Sequence, residues 1–312
     1  MTRRCRHEGC YPDTTCALGH LDRSECEYRV EEQGATSEHE PTADGGDIPW
    51  NGYALGTNDL AILAGRGRPI VVGLVGAPDS GKTSLLAFLY MWLLEHGNIP
   101  GWTFSGSWTI GAWESLVQHS RWTGDPPPTF PPHTSSSGRV PGLLHLSMRN
   151  QGGLLREILF TDAPGEWFIG WARTPGDESA AGARWVIKNS DVLLLLADSG
   201  AFSNRATLPQ ARRDTRDLTE RVGALASHLP LGFTWTKTDL CLPSDTRKVL
   251  ENARVQFAPE SEVWETTTRP ETIVNVFSRA VFLGEIQKSS ALCEPRTNHE
   301  PFLAFRGHYV RG

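Results

Sequence analysis

The feature that most constrains the fold is the octapeptide at residues 76–83, Gly-Ala-Pro-Asp-Ser-Gly-Lys-Thr, which directly follows an apolar, β-branched run at residues 70–75. A strand, a glycine-flanked loop and a helix in this order are typical of a phosphate-binding loop, because the glycines let backbone N–H groups wrap an anion at the start of the helix. The apolar segment 81–96 predicts that helix. The alternative is a glycine turn that caps an ordinary helix, which leaves the lysine unexplained in a chain with only five lysines among 30 basic residues.

The motif also predicts the residues that hold phosphate. We expect the Lys82 ammonium to reach the terminal phosphates, which makes it a candidate catalytic residue, and the Thr83 hydroxyl to bind Mg²⁺. The complete predicted phosphate-binding set is Gly76, Asp79, Ser80, Gly81, Lys82, Thr83 and Ser84.

A second motif, Asp-Ala-Pro-Gly-Glu at 162–166, ends a predicted strand at 155–161. Asp162 there can hold Mg²⁺ through water, and the Gly165 N–H can contact a γ-phosphate. Gly165 and Glu166 therefore join the candidate catalytic residues. Alone, such a sequence is also a common strand-to-turn connection, and its position after the phosphate loop is what supports the nucleotide interpretation.

A hydroxyl-rich loop at residues 134–137 precedes the predicted strand at 143–149. Thr134 is the candidate Mg²⁺ ligand that would bind only when a γ-phosphate is present. The alternative interpretation is a flexible serine-rich turn.

A third motif, Thr-Lys-Thr-Asp at 236–239, follows a predicted strand at 231–235. A carboxylate at this place can accept two hydrogen bonds from guanine, and the lysine stem can cover the ring, although the aspartate could instead cap a helix. A last strand is predicted at 272–277, followed by a loop whose Ser278 would approach the guanine carbonyl; the same residues could lie inside a helix. The predicted guanine-binding set is Thr236, Lys237, Asp239 and Ser278.

Strands and helices alternate from residue 70 onward, which predicts an α/β fold with a mostly parallel sheet of six strands and helices on both faces. One antiparallel strand is expected at its edge, since residues 150–153 form a glycine-bearing hairpin turn. The other predicted elements are helices near 177–188 and 205–228 and a buried strand at 192–198.

Four of the six cysteines fall within the first 26 residues. Thiolates of Cys5, Cys10, Cys16 and Cys26 could bind a structural Zn²⁺ ion that staples a segment otherwise too short to fold. His20 or His7 could replace one of them. The alternatives are a redox-sensitive thiol cluster or an unfolded tail.

Charge divides the chain into three parts. Residues 30–47 contain six acidic and no basic residues, which accounts for the whole net charge of −6 and predicts an acidic flexible linker. It joins a Cys-rich module at 1–29 to a phosphate-loop domain at 48–312. The charge balance of that domain argues against nucleic acid as a partner. We also expect a cytoplasmic protein that does not enter a membrane, because the chain starts without a signal sequence and its apolar runs are short.

A Trp- and Pro-rich insertion at 97–133 interrupts the domain. The spacing of Ala112, Trp113, Leu116 and Val117 predicts one apolar face of a short helix, packed on the domain or presented to a protein partner.

In this order the motifs resemble those of GTPases of the translation-factor-like class, which includes the small Ras-like GTPases. The fuller combination, with a Cys-rich head, a Leu-His-Leu strand at 144–146 and an acidic residue after the Asp-Ala-Pro-Gly sequence, is similar to the bacterial double-GTPase proteins of conflict and anti-phage systems. The resemblance implies a Ras-like P-loop fold, Mg²⁺-dependent GTP binding and a switch in a defence or signalling assembly, with a partner at the switch or the insertion.

Two departures from small GTPases bear on activity. Glu166 stands where they place a water-orienting glutamine, which predicts slow hydrolysis. Thr236 stands where asparagine is commoner, so the hydrogen bonds that brace the base-binding loop must differ. Arg173 and Arg184 could supply a catalytic charge, or are surface arginines. The rival functions are an ATPase and a nucleotide-bound scaffold that does not hydrolyse and acts through the Cys-rich head and the Trp-rich loop.

Overall fold

A computed structural model of the chain describes residues 3–5, 29–31, 54–60, 63, 68–120, 141–240 and 243–290. The chain divides into two compact units, Met1–Pro49 and Trp50–Gly312. In the first unit, strand β1 (Arg3–Cys5) pairs antiparallel with β2 (Arg29–Glu31), which places Cys5 opposite Arg29. The other candidate zinc ligands, Cys10, Cys16, Cys26, His7 and His20, lie outside the described residues.

The second unit is built on a mostly parallel sheet, in which eight strands fall within the described residues. They are β3 (Ile70–Gly76), β4 (Asn98–Ile99), β5 (Trp102–Gly106), β6 (Gly142–Asn150), β7 (Leu155–Asp162), β8 (Val192–Asp198), β9 (Leu231–Thr236) and β10 (Glu262–Glu265). Their order is β10-β9-β8-β3-β7-β6-β5-β4. The first five in this order run parallel, and the pairs β7–β6, β6–β5 and β5–β4 are antiparallel.

The prediction of six strands with one antiparallel edge strand is therefore wrong. Part of the Trp-rich insertion folds into β4 and β5, which extend the sheet beyond the hairpin of β6 and β7. The short strand β10 was not predicted. The predicted strand at 272–277 is instead part of a long helix.

Eight α-helices of this unit have both ends within the described residues. They are α1 (Lys82–His96), α2 (Ile110–Val117), α3 (Gly165–Arg173), α4 (Ala181–Asn189), α5 (Ser199–Ser203), α6 (Leu208–Leu225), α7 (Ser244–Phe257) and α8 (Pro270–Ser290). Alternate side chains of the buried strands explain why both sheet faces are covered: Val72 and Leu74 pack with α1, α2 and α8, whereas Val75 packs with α3, α4 and α6. No helix of the described residues is long and apolar enough to cross a membrane.

A smaller apolar cluster covers the sheet beside β6 and β7. It contains Leu55, Leu63, Val71, Leu143 and Leu159. Leu55 and Leu143 exchange two backbone hydrogen bonds of 2.9 and 3.0 Å, so the segment before β3 is fixed to the first residues of β6.

The described part of the insertion, residues 97–120, packs aromatic residues into the domain. Helix α2 confirms the predicted apolar face, because Trp113 is fully buried and stacks on Tyr90 with 5.3 Å between ring centroids. The Trp113 indole donates to the His145 carbonyl at 2.9 Å. Residues 121–140, which include the Pro-rich run, Trp122 and Thr134, lie outside the described residues.

Candidate functional site

The site is a cleft of about 560 Å³ at the carboxyl ends of the parallel strands, within the usual size of a small-ligand pocket. Its lining comes from all three sequence motifs and from the segment after β10. The lining residues are Pro78, Asp79, Gly81, Lys82, Thr83, Ser84, Leu85, Phe88, Ala163, Pro164, Gly165, Glu166, Thr236, Lys237, Asp239, Leu240, Thr266, Thr267, Thr268 and Ile273.

The loop between β3 and α1 has the backbone that its glycines predict. Gly81 has φ of 95°, a left-handed conformation that side chains disfavour, and the non-glycine residue Asp79 has φ of 62°. A Cβ at Gly76 would lie 2.4 Å from the Ser80 hydroxyl, so the loop closes too tightly for a side chain there. Gly76 and Ser80 are not among the lining residues and form the inner part of the loop.

Lys82 is held by this loop. Its ammonium donates to the carbonyls of Gly76 at 3.1 Å and Ala77 at 2.9 Å, and the residue is only 6% exposed. Burial lowers the pKa of the Lys82 ammonium to about 8, while the nearby charges of Asp162 and Glu166 oppose the shift. Bound phosphates would add anionic charge and favour the protonated form.

Thr83 and Asp162 meet at the mouth of the loop, although they are 79 residues apart in sequence. The Thr83 hydroxyl donates to the Asp162 carboxylate at 3.1 Å. A hydroxyl and a carboxylate are the hard oxygen ligands that Mg²⁺ prefers, so these two side chains fit the predicted metal site. The third predicted ligand, Thr134, lies outside the described residues.

Gly165, the first residue of α3, packs against the phosphate loop. A Cβ on Gly165 would lie 2.2 Å from the Pro78 nitrogen and 2.4 Å from the Ala77 carbonyl carbon. Only glycine allows this approach, which brings the start of α3 to the loop backbone. The neighbouring Glu166 is exposed and lines the cleft.

The base-binding motif is tied to the same loop. The Thr236 hydroxyl donates to the Ser80 carbonyl at 2.9 Å. The Lys237 ammonium donates to the Asp79 carbonyl at 2.8 Å. Thr236 thus supplies the brace that the sequence left open, and Asp239 is exposed at the rim of the cleft.

The structure does not bring Ser278 to the cleft. Ser278 lies within α8, and its hydroxyl donates to the Pro100 carbonyl at 2.7 Å, so the predicted loop contact with guanine is wrong. Residues 266–268 line the cleft on this side, and the Thr238 N–H donates to the Thr266 carbonyl at 3.0 Å. Pro270 at the first helical position is the sequence signal that could have located the start of α8.

The two arginines after the second motif are engaged away from the cleft. Arg173 pairs with Asp214 of α6 at 2.8 Å, and Arg184 donates to the Pro175 carbonyl at 2.7 Å. Neither is among the residues that line the cleft, which agrees with the interpretation as surface arginines.

Comparison with known proteins places these motifs in one family. The sequence model of the family described as Double-GTPase 2 matches residues 70–285, which include every residue that lines the cleft. No curated protein matches the sequence. Among solved structures, the chain is similar to nucleolar GTP-binding protein 1 from Plasmodium falciparum, with 12% identity, coverage of 78% of this chain and 95% of that chain, and a TM-score of 0.42.

Proposed function

The chain belongs to the Double-GTPase 2 family, and on this premise we propose that it binds GTP with Mg²⁺ in the cleft and hydrolyses GTP slowly to GDP and phosphate. The observation that carries the proposal is the convergence of three separate motifs on one loop. Asp162 accepts from Thr83, and Thr236 donates to Ser80, so metal-binding and base-binding segments meet the phosphate loop directly.

Each motif then has a defined role. The loop N–H groups and Lys82 bind the phosphates, and Gly165 lies close enough to the loop to sense a γ-phosphate. Mg²⁺ held by Thr83 and Asp162 would neutralise phosphate charge while the γ-phosphoryl group is transferred to water. Glu166 can accept a hydrogen bond from that water but repels the γ-phosphate, which is the physical reason to expect slow turnover.

Asp239 favours GTP over ATP. Guanine presents two N–H donors on one edge, and both can bond to a single carboxylate, whereas adenine presents an acceptor at the corresponding ring nitrogen. Competition between unlabelled GDP and ADP for a bound fluorescent GDP analogue tests this assignment. Tighter binding of ADP would contradict it and favour an ATPase.

Hydrolysis is tested by multiple-turnover release of phosphate from GTP. We expect Lys82→Ala to abolish release and the matched change Lys188→Ala, at an exposed position on α4, to leave it unchanged. Nucleotide binding without any turnover in the intact protein would instead favour the non-hydrolysing scaffold.

We also retain the zinc module as a proposal. The pairing of β1 with β2 closes the ends of the segment that contains Cys10, Cys16 and Cys26, which supports a compact metal-stapled loop. Metal analysis of purified protein should find one zinc per chain, and Cys16→Ser should lower that content. A zinc-free protein would contradict the module.

The assignment to a bacterial defence or signalling assembly rests on the family resemblance. In a bacterium protected against phage by the intact protein and its partners, Lys82→Ala should remove protection. Unchanged plating of phage would contradict a defence role for the nucleotide site.

A further inference from the structure

We propose that Asp198 is a positioning residue for nucleotide recognition, which acts by fixing Lys237 against the phosphate loop. This inference rests on the proposed function. Asp198 is the last residue of β8, is absent from the three sequence motifs and does not line the cleft. Asp198 therefore acts on the nucleotide only through Lys237, which does line the cleft.

Both oxygens of the Asp198 carboxylate are engaged. Oδ1 accepts from the Gly200 N–H at 2.8 Å, which caps the start of α5, and Oδ2 accepts from the Lys237 ammonium at 2.8 Å. The residue is 8% exposed. A hydrogen bond between a carboxylate and an ammonium group is stronger than one between neutral groups.

The Lys237 ammonium bridges two segments. One acceptor is the Asp198 carboxylate and the other is the Asp79 carbonyl, also at 2.8 Å. Lys237 and Asp79 are the two non-glycine residues of the described chain with positive φ, at 55° and 62°. The Lys237 side chain therefore connects its own backbone to that of Asp79, and both positions have a conformation that is disfavoured for residues with a side chain. The negative charge of Asp198 holds the ammonium in this position.

The aliphatic stem of Lys237 is confined by the backbone at Gly200, near the start of α5. A Cβ at Gly200 would lie 2.9 Å from a Leu240 methyl carbon and 3.4 Å from the Lys237 Cδ, so the stem passes close over a backbone without a side chain. The Lys237 side chain is 40% exposed and would otherwise sample many rotamers. Anchoring at its tip fixes the apolar stem where a purine ring would lie against it.

Loss of Asp198 should affect nucleotide binding in a different way from loss of Asp239. The stem contacts the face of any purine, so loss of Asp198 should weaken guanine and hypoxanthine nucleotides by the same factor. Asp239 reads the edge of the base, so its loss should change the ratio between them.

A double-mutant cycle in the full chain tests the proposal, with a fluorescent GDP analogue at constant Mg²⁺. Asp198→Asn is nearly isosteric and keeps an oxygen for the Gly200 N–H, but it removes the charge that holds Lys237. We expect this variant to bind GDP about tenfold more weakly. In the background of Lys237→Met, which keeps an apolar stem, the same change should cost less than about twofold because its target is gone.

The matched control is Asp214→Asn, since Asp214 is similarly buried and pairs with Arg173 at 2.8 Å away from the cleft. It should lower the Tm without changing GDP affinity. Unchanged affinity in Asp198→Asn, or an equal loss in both Lys237 backgrounds, would overturn the role of Asp198 while leaving GTP binding intact. An intact protein that binds neither GDP nor ADP would overturn the proposed function and this inference with it.

Discussion

The side chain of Asp239 stands at the rim of the cleft with no hydrogen-bond partner among the described residues, so its two oxygens are available to a ligand. Asp239→Asn replaces one acceptor by a donor. We expect GDP affinity to fall about a hundredfold, or ~3 kcal/mol, because a guanine N–H then faces an amide N–H. Xanthine carries a carbonyl where guanine carries its amine, so affinity for xanthosine diphosphate should rise.

Competition of both nucleotides against a fluorescent GDP analogue measures this switch. The informative result is the ratio of the two affinities. A loss of equal size for GDP and xanthosine diphosphate would show that Asp239 does not read the base.

The conformation of some single residues could be predicted from the sequence, whereas contacts between distant residues could not. The glycine and lysine pattern at 76–83 was sufficient to predict the loop because each glycine answers a local backbone requirement, as φ of 95° at Gly81 shows. The brace from Thr236 to Ser80 was not predictable, since it joins residues 156 apart whose approach depends on the whole sheet.

At the scale of elements, the contact between α3 and the phosphate loop depends on the absence of a side chain at residue 165. Gly165→Ala would place a methyl group 2.2 Å from the Pro78 nitrogen, which forces backbone apart. We expect a loss of about 2 kcal/mol in the free energy of unfolding and weaker GTP binding. Urea denaturation and nucleotide titration measure the two effects.

Gly170 provides the control on the same helix. A Cβ there meets nothing within 4 Å, so Gly170→Ala should raise stability by up to ~1 kcal/mol through helix propensity alone. If Gly165→Ala and Gly170→Ala changed the free energy of unfolding equally, the contact of Gly165 with the loop would not contribute to stability.

A second element-scale prediction concerns the junction of the insertion with the sheet. The His145 ring lies 2.7 Å from the Glu157 carboxylate, both are buried, and the Trp108 N–H donates to the other ring nitrogen at 3.0 Å. His145→Leu should cost about 1–3 kcal/mol, because it removes one hydrogen-bond donor from the buried Glu157 carboxylate and one acceptor from the Trp108 N–H. Adding Glu157→Leu should restore part of that loss.

Chemical denaturation of the two single variants and the double variant measures this coupling. The comparison pair is Arg279 with Glu262, which lie on the surface at 44% and 35% exposure and should couple by less than ~1 kcal/mol. Strictly additive effects of the His145 and Glu157 changes would refute the coupling.

Helix α8 shows why some elements were predicted wrongly. Residues 272–277 are rich in β-branched side chains, which favoured a strand. The structure buries Ile273, Val274, Phe277, Ala280 and Val281, a helical spacing of three and four that continues beyond residue 277. Strands β4 and β5 were not predicted for another reason. They are two and five residues long, and their pairing is not local in sequence, because β5 pairs with the edge of β6 and β4 pairs with β5.

For the whole molecule, the division at residue 49 has a direct test. The cleft, its braces and both large apolar clusters lie within Trp50–Gly312. A chain that begins at Trp50 should therefore unfold cooperatively and bind GDP with an affinity within about twofold of the full chain. Calorimetry and GDP titration measure this. A truncated chain that folds but has lost GDP affinity would show that the first unit contributes to the site.

The convergence of distant segments on the phosphate loop also couples nucleotide supply to the lifetime of the protein. Residues near 80, 162, 237 and 266 come together only when the sheet is complete, so we expect an unfolded chain to bind the ligand far more weakly than the folded one. By mass action, nucleotide at a hundred times its Kd would add about 2.7 kcal/mol to the free energy of unfolding. Molecules deprived of nucleotide should therefore be the ones that proteases remove first.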